Sequence, residues 1–284
     1  MRRLAAFVSL LSATSGCALI AGLDATYGVG GDAAATEDDG GTKTFGDGAA
    51  YDGPPVDGGA IGDGRCASAR GPAMTELAFA AFSYCVDSTE VTVLEYSQFL
   101  SAAVDIATQP SVCAWNANFA PNCDGADAKR PNQPINCIDW CDAFAYCAWA
   151  GKRLCGKIGG GANRPGASND PAESQWFAAC SDGAKRQYPY GNIPIDGACA
   201  AELADPTDVA SHPQCEGGFQ GLFDMTGNVD EWEDSCDADG GADDGCQLRG
   251  GDIHDPPENQ TCNQGFSQPR KLRVTSTGFR CCKD

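Results

Sequence analysis

Residues with reactive or metal-binding side chains lie close together in the sequence at positions 248–266, LRGGDIHDPPENQTCNQGF. An Arg-Gly-Gly turn followed by a polar loop is typical of a pocket wall, so Arg249, Asp252, His254 and Asp255 are candidate pocket residues. The histidine and the two aspartates could form a metal or acid–base cluster, because histidine titrates near neutral pH. The alternative is a polar loop exposed at a pocket rim, which the pattern favours, with Arg249 anchoring the turn.

The chain has 17 cysteines. Setting aside Cys17 leaves 16 (17 − 1), an even number that predicts a disulfide framework in an exported chain. Zinc clusters are the competing interpretation, but no C-x2-C pair stands opposite a second one, and only His212 and His254 could add imidazole. A cysteine nucleophile with a histidine base is disfavoured, since most cysteines are expected to be oxidised.

The N-terminus, MRRLAAFVSLLSATSGC, has two arginines, a short apolar run and small residues before Cys17. The apolar run is too short for a permanent membrane span, so residues 1–17 are predicted to be a signal peptide. The residues before Cys17 resemble a bacterial lipobox, which implies lipidation of that cysteine. The chain is therefore expected to be exported, as an outer-membrane lipoprotein or at the periplasm or cell surface. Ordinary secretion is the alternative.

Residues 18–65 are rich in Gly, Ala and Asp and contain few aliphatic residues. Such a segment buries too little apolar surface to offset its chain entropy, so it is predicted to be a disordered tether. A calcium-binding repeat is the alternative, but the Asp-Gly pairs lack a fixed period. The net charge of −20 argues against nucleic-acid partners, since phosphate binding needs a basic face.

Residues 66–284 are expected to form one folded domain of α+β class, disulfide-rich and low in regular secondary structure. The apolar spacing and capping residues predict helices over Val93–Ala103, Trp140–Ala150 and Glu173–Cys180. Thr92 and Asp139 are the expected N-caps of the first two. The predicted buried positions are Leu94, Phe99, Leu100, Trp140, Phe144, Cys147 and Ala148.

Seven phrases of the domain carry a family resemblance: YCVDSTEVTVLEYSQFL, PINCIDWCDAFAYCAWAGKRL, SQWFAACSDG, YPYGN, GLFDMTGNVDEWEDSC, LRGG and GFRCC. In this order they resemble the sulfatase-modifying factor family, whose best-known member is the formylglycine-generating enzyme. The match runs from about Tyr84 to Cys282. It implies a compact domain related to C-type lectins. It also implies oxidation of a sulfatase cysteine to formylglycine by molecular oxygen and copper(I) held by two thiolates.

The copper ligands that the resemblance implies are missing from the sequence. Copper(I) is soft and prefers thiolates, and in family enzymes a C-x4-C pair follows the Arg-Gly-Gly turn. Here the window before the closing Gly-Phe-Arg-Cys holds only Cys262, which matches a structural cysteine of the family. Copper is therefore not expected. Residues 252–256 occupy the approximate place of the first copper ligand.

The resemblance also implies two disulfides, Cys147–Cys281 and Cys180–Cys262. Proximity along the chain suggests three further pairs, although spacing alone does not fix connectivity. These pairs are Cys113–Cys123, Cys199–Cys215 and Cys236–Cys246.

In DMTGNVDEW, the resemblance implies a calcium ion held by side-chain oxygens of Asp224 and Glu231 and by the carbonyls of Gly227 and Val229. Ligation by oxygen alone suits calcium. The alternative is a turn with solvated carboxylates.

Two classes of function follow. The first is a surface-tethered, non-catalytic family member that binds a peptide, a glycan or an envelope protein. The second is a copper- and oxygen-dependent oxidase that makes formylglycine, or another metal-dependent oxidoreductase with relocated ligands. Related sulfoxide synthases bind iron through three histidines, and this chain has only two. The missing cysteine pair favours the first class, and a purely structural envelope protein is a third alternative.

Overall fold

The computed structural model describes residues 64–123 and 130–284, which fall within one compact unit, Val56–Asp284. The predicted signal peptide, Cys17 and nearly all of the predicted tether lie outside the described residues. Arg65, assigned to the tether, contacts Glu76 and donates to Ser83 Oγ at 2.7 Å. Within the described ranges, no helix has both the length and the apolar character needed to cross a membrane.

Three α-helices form where capping residues precede apolar periodicity: α1 is Val93–Ser101, α2 is Trp140–Trp149 and α3 is Gln175–Ser181. The predicted caps are confirmed, since Thr92 and Asp139 each form a reciprocal capping box with the residue three positions on. Each box satisfies backbone N–H groups that the first helical turn leaves unpaired.

The buried faces of α1 and α2 differ from the prediction at two positions. Leu94 is 41% exposed, and Ala148 is also exposed. Tyr96 and Tyr146 are buried instead, and their rings stack with centroids 5.6 Å apart. The sequence pattern misplaced this face because it did not count tyrosine as a buried residue, although its ring is apolar. The hydroxyl group of Tyr96 still donates a hydrogen bond to the Phe119 carbonyl.

Two four-stranded sheets complete the domain. The first has the order β1 (Met74–Ala78), β2 (Ser83–Asp87), β8 (Cys281–Lys283) and β3 (Arg153–Leu154), with antiparallel pairing throughout. The second has the order β6 (Gly265–Pro269), β5 (Gly245–Arg249), β4 (Asp230–Cys236) and β7 (Thr277–Gly278), with β4 and β7 parallel.

The last residues of the chain connect the two sheets. Strands β7 and β8 belong to different sheets and are separated only by Phe279 and Arg280. Both side chains are fully buried, and the Phe279 ring packs edge-on against Tyr146 at 5.3 Å between centroids. The closing Gly-Phe-Arg-Cys phrase is therefore a structural centre of the domain.

All 16 described cysteines are paired in eight disulfides. The structure contains both pairs that the resemblance implied and two of the three suggested by proximity. The third, Cys113–Cys123, is wrong: Cys113 pairs with Cys141, and Cys123 pairs with Cys137. Proximity failed because Cys141, at the start of α2, meets Cys113 across 28 residues of chain. The remaining pairs are Cys66–Cys85 and Cys155–Cys282.

Candidate functional site

The Arg-Gly-Gly turn lies at the end of β5. Gly250 and Gly251 have φ values of +96° and +75°, a region that glycine adopts without a steric penalty. A Cβ at Gly250 would lie 2.9 Å from the Met225 carbonyl, and one at Gly251 would lie 2.8 Å from Asp255 Oδ2. Two glycines are thus required for the loop to turn back against the strand.

Arg249 anchors the turn through buried contacts. Its side chain is 1% exposed, and its guanidinium carbon lies 4.9 Å from the Trp176 ring centroid. Nη2 donates to Asn169 Oδ1 at 2.8 Å and to the Cys262 carbonyl at 2.9 Å. Glu233 Oε2 is 3.9 Å from Nε. These contacts give Arg249 a structural role.

The loop after the turn places its polar residues on different sides. Ile253 is buried, and its backbone bonds to Asn228 and Leu203. His254 is exposed, and Nδ1 lies 3.2 Å from Asp252 Oδ1. Asp255 Oδ2 accepts instead from the Asp252 amide at 3.3 Å. The aspartates are therefore occupied by the loop itself, and His254 forms one exposed pair with Asp252, which agrees with the favoured interpretation of a polar rim loop and not with a metal or acid–base cluster.

A buried carboxyl group lies beneath this loop. Asp230 Oδ1 accepts from the Gly251 amide at 3.1 Å. Burial raises the pKa of Asp230, and the negative charges of Asp252 and Asp255 raise that pKa further. Gln260 holds the other side of the loop, since Nε2 donates to the carbonyls of Ala200 and Asp252 at 2.8 Å each.

A cavity of about 310 Å³ opens beside the loop. Its walls come from residues 130–136, 204–206 and 253–254, together with Val93 and Thr275. Of the four candidate pocket residues, only His254 lines it; Arg249, Asp252 and Asp255 do not. The family phrase that begins at Pro134 covers part of the first wall segment, but nothing in the sequence marked either of the first two segments as a cavity wall.

The segment predicted to bind calcium surrounds Arg280. Asp224 and Asn228 have positive φ values, and the Asp224 carbonyl accepts from Arg280 Nη2 at 2.7 Å. Both Glu231 carboxylate oxygens accept from Arg280, at 2.6–2.8 Å, and Oε2 also accepts from Trp176 Nε1 at 2.8 Å. The Glu231 side chain is thus engaged by protein donors. Asp224 Oδ2 accepts from the Ala210 amide at 2.5 Å.

Glu90 adds a third buried carboxyl group to this region and was missed by the sequence reasoning. It is fully buried, Oε1 accepts from Asn228 Nδ2 at 3.0 Å, and Oε2 has no hydrogen-bond partner. Burial raises the pKa of Glu90, and the charge of Asp224 raises it further. Burial likewise raises the pKa of Asp224 to about 6. Of these three carboxyl groups only that of Glu231 bonds directly to Arg280, whereas Glu90 and Asp224 act on the guanidinium through their charge.

Comparison with known proteins places this architecture in a family. The model of the sulfatase-modifying factor enzyme 1-like domain matches residues 55–284. The chain belongs to this family. The formylglycine-generating enzyme of Mus musculus is 32% identical over 124 residues, which cover 38% of this chain and 29% of that protein. The enzyme of the same name from Thermomonospora curvata is 30% identical over 133 residues, 42% of this chain and 38% of that protein.

The sulfatase-modifying factor fold is also found among solved structures. PvdO from Pseudomonas aeruginosa superposes with a TM-score of 0.50 at 20% identity, covering 71% of this chain and 80% of that chain. The expected α+β, disulfide-rich fold of the family is therefore confirmed. The matched segments span well under half the length of the two curated enzymes, so activity does not follow from these matches.

This family member departs from the expected copper chemistry in the number of cysteines that follow its Arg-Gly-Gly turn. Cys262, the single cysteine between Gly251 and Gly278, is bonded to Cys180 with an S–S distance of 2.06 Å. Within residues 64–123 and 130–284, no three cysteine, histidine or acidic side chains form a cluster suited to a metal ion. The predicted calcium site is of another kind, since two of its four ligands are backbone carbonyls.

Proposed function

We propose that this family member is a non-catalytic, exported binding module. The observation that carries the proposal is the state of its cysteines. The loop that should supply two thiolates contains one cysteine, and that cysteine is in a disulfide. Copper(I) prefers thiolate ligands, and a disulfide sulfur carries no negative charge to offer it.

The two histidines do not replace the missing ligands. His254 is exposed beside Asp252, and His212 lies next to Pro213 at the start of a short 3-10 helix. An iron site of three histidines cannot be built from two imidazoles. Copper- and oxygen-dependent formation of formylglycine, and other metal-dependent oxidation, are therefore the less supported alternatives.

The test of this proposal is an assay for formylglycine. The purified, oxidised protein is incubated with copper(I), oxygen and a cysteine-containing sulfatase peptide, beside an active formylglycine-generating enzyme. Mass spectrometry is expected to find the peptide cysteine unchanged in the first sample and converted in the control. Conversion by this protein would overturn the proposal. Alkylation of the untreated protein with iodoacetamide is expected to leave the 16 cysteines from Cys66 to Cys282 unlabelled.

The cavity beside His254 supports the binding half of the proposal. Small-molecule sites usually occupy about 300–1,000 Å³, and this cavity of about 310 Å³ lies at the lower limit. We propose that its ligand belongs to a peptide, a glycan or an envelope protein and that nucleic acid is excluded by the net charge of −20. An open cavity of this size favours a binding role over a purely structural one.

We further propose that Cys17 carries a lipid and anchors the protein to the outer membrane. The support is the apolar leader, the lipobox-like residues 13–16 and the 48 residues (65 − 18 + 1) of Gly-, Ala- and Asp-rich chain that follow. Cells fed an alkyne-bearing fatty acid are expected to label the natural protein and not Cys17→Ser. Equal labelling of both proteins would contradict the anchor.

Calcium is proposed as a structural ion of the segment 224–231. Asp224 and the carbonyls of Gly227 and Val229 would hold it, and Glu231 would contribute once it exchanges part of its pairing with Arg280. Saturating calcium is expected to raise the melting temperature relative to a chelator, because the ion binds only the folded state. Asp224→Ala should lose that shift. Equal melting of the natural protein with calcium and with chelator would contradict the site.

A further inference from the structure

The cavity beside His254 has a consistent polar character. Gln133 Nε2 donates to the Pro206 carbonyl at 2.5 Å, and Asn136 Nδ2 donates to the Thr275 carbonyl at 2.8 Å. Both bonds are made to carbonyl oxygens, which can only accept, so they fix the orientation of the two amide groups. One of the two N–H bonds of each amide group is therefore already engaged by the protein.

The acceptors of the same side chains are not engaged. Among the described residues, no donor reaches Gln133 Oε1, Asn136 Oδ1 or Thr275 Oγ1. All three residues are partly exposed and line one cavity. A ligand that fills this space must leave these oxygens unpaired or bring its own N–H or O–H donors. A ligand without donors would take water away from these oxygens and leave them unpaired, so a ligand that brings donors is favoured.

The charges around the cavity favour a cation. Arg130 at the rim lies 3.4 Å from Asp205, so its positive charge is balanced. His254, the other basic group of the wall, stands 3.2 Å from the Asp252 carboxylate. The protein as a whole has a net charge of −20. A positively charged ligand would thus approach a negative protein and meet no unbalanced cation at the cavity wall.

We propose that this cavity binds a primary ammonium group, either of a free amine or of a lysine side chain on a partner. An ammonium group is a compact donor with three N–H bonds and no acceptor. It would meet three neutral oxygens in a space that accommodates one side chain and not a folded segment. The proposal rests on the proposed function, because it assigns a ligand class to a cavity that binds and does not react.

The first test compares a charged lysine derivative with its neutral acetylated form and with a simple amine. Nα-acetyl-lysine methylamide, its Nε-acetylated form and butylamine are titrated into the isotopically labelled full-length protein, and the side-chain amide signals of Gln133 and Asn136 are followed by NMR. The charged lysine is expected to shift both signals and to bind about tenfold more tightly than the acetylated form, since hydrogen bonds from a charged donor are stronger than those from a neutral one. Equal binding of the two forms would overturn the proposal.

Butylamine distinguishes the two sources of the ammonium group. If butylamine binds as well as the lysine derivative, the ligand is a free amine. If only the lysine derivative binds, the cavity also recognises a peptide backbone and the ligand is a partner protein. Both results support an ammonium site. A neutral oligosaccharide that shifts the two amide signals, when neither amine does, would overturn it.

Two rim variants and one control variant test the electrostatic part, and all three positions are exposed, so folding is expected to be preserved. Asp205→Asn removes the rim carboxylate and is expected to weaken lysine binding about threefold to tenfold, whereas Arg130→Gln removes a competing cation and should strengthen it. Asp208→Asn, in the same loop but outside the cavity wall, is the matched control and should have no effect. Equal changes in Asp205→Asn and Asp208→Asn would overturn the assignment to this cavity.

Failure of this inference is separable from failure of the proposed function. Absence of amine binding together with absence of formylglycine would overturn only the ligand class. Formation of formylglycine would overturn the non-catalytic role, whatever the amines do.

Discussion

The region around the C-terminal strands and the region around the Arg-Gly-Gly loop are held by different forces. Cys281 and Cys282 are each bonded to distant parts of the chain, across 134 and 127 residues. Arg280, just before them, is fully buried in a bidentate pair with Glu231. The loop at 252–255 is held by single hydrogen bonds to backbone and to the Gln260 side chain.

This difference separates the residues that maintain the fold from the loop residues that could take part in chemistry. Each of the covalent and ionic contacts at the C-terminus joins elements that are far apart in sequence, so their loss would disturb both sheets. The loop carries few such contacts and can change its residues with little cost to the fold. A protein can therefore keep the whole sulfatase-modifying factor architecture while the residues at 252–255 vary.

Complete reduction of the disulfides is expected to have the largest effect on the stability of the fold. Each bridge is expected to contribute about 2–4 kcal/mol, so removal of all eight exceeds the usual 5–15 kcal/mol stability of a domain. The reduced protein is expected to lose its cooperative thermal transition. Calorimetry with and without tris(2-carboxyethyl)phosphine measures this, and an unchanged melt would contradict the framework.

Removal of one bridge at a time tests whether the stability that a bridge contributes depends on the length of the loop that it closes. Cys180–Cys262 closes 82 residues and has no adjacent parallel bridge, whereas Cys236–Cys246 closes 10. The chain-entropy model assigns them about 4–5 and about 3 kcal/mol. The double variant Cys180→Ala/Cys262→Ala is therefore expected to lose more free energy of unfolding than Cys236→Ala/Cys246→Ala, measured by urea denaturation. A larger loss for the short bridge would contradict a loop-length effect.

Glu231→Gln tests the buried ion pair. It removes the charge that balances Arg280 and is expected to cost about 3–5 kcal/mol, because an unpaired buried guanidinium remains. The matched control is Glu173→Gln, whose partner Arg164 is largely exposed, and its effect on the free energy of unfolding should be much smaller. Similar losses in the two variants, measured by urea denaturation, would show that burial of the pair does not matter.

Gly251→Ala has the smallest expected effect on the fold. A Cβ at φ +75°, within 2.8 Å of Asp255 Oδ2, is expected to cost about 1–3 kcal/mol and to shift the loop. Thermal melting should fall slightly while the eight bridges still form. Gly166→Ala, where the added Cβ meets nothing within 4 Å, is the control. A melting temperature equal to that control would show that the turn tolerates a side chain.

Much of the scaffold could be predicted from the sequence because its signals are local or specific. Thr92 and Asp139 begin helices through contacts with residues three positions away, so their capping role is visible in the sequence. The resemblance identified Cys147–Cys281 although 134 residues separate the partners. The Cys113–Cys141 bridge had neither kind of signal, and proximity in the chain indicated a different partner.

The candidate site was less accessible to sequence reasoning. Arg249 and Asp255 look like pocket residues in the sequence, but the fold directs one onto Trp176 and the other back onto its own loop. The cavity wall instead uses Gln133 and Asn136, whose hydrogen bonds join segments more than 70 residues apart. Which atom of an amide remains free depends on those distant partners, and no pattern within one segment records it.

The Cys66–Cys85 bridge has a mechanical consequence for a chain anchored by its N-terminus. Tension that arrives from residues before Cys66 would otherwise peel the edge strand β1 away from β2, breaking one pair of hydrogen bonds after another. The bridge instead passes the pull directly to Cys85, in a strand with neighbours on both sides. If Cys17 carries the proposed lipid, several rows of hydrogen bonds would have to shear together, so the bridge would make the start of the domain resistant to force and leave β1 unstrained.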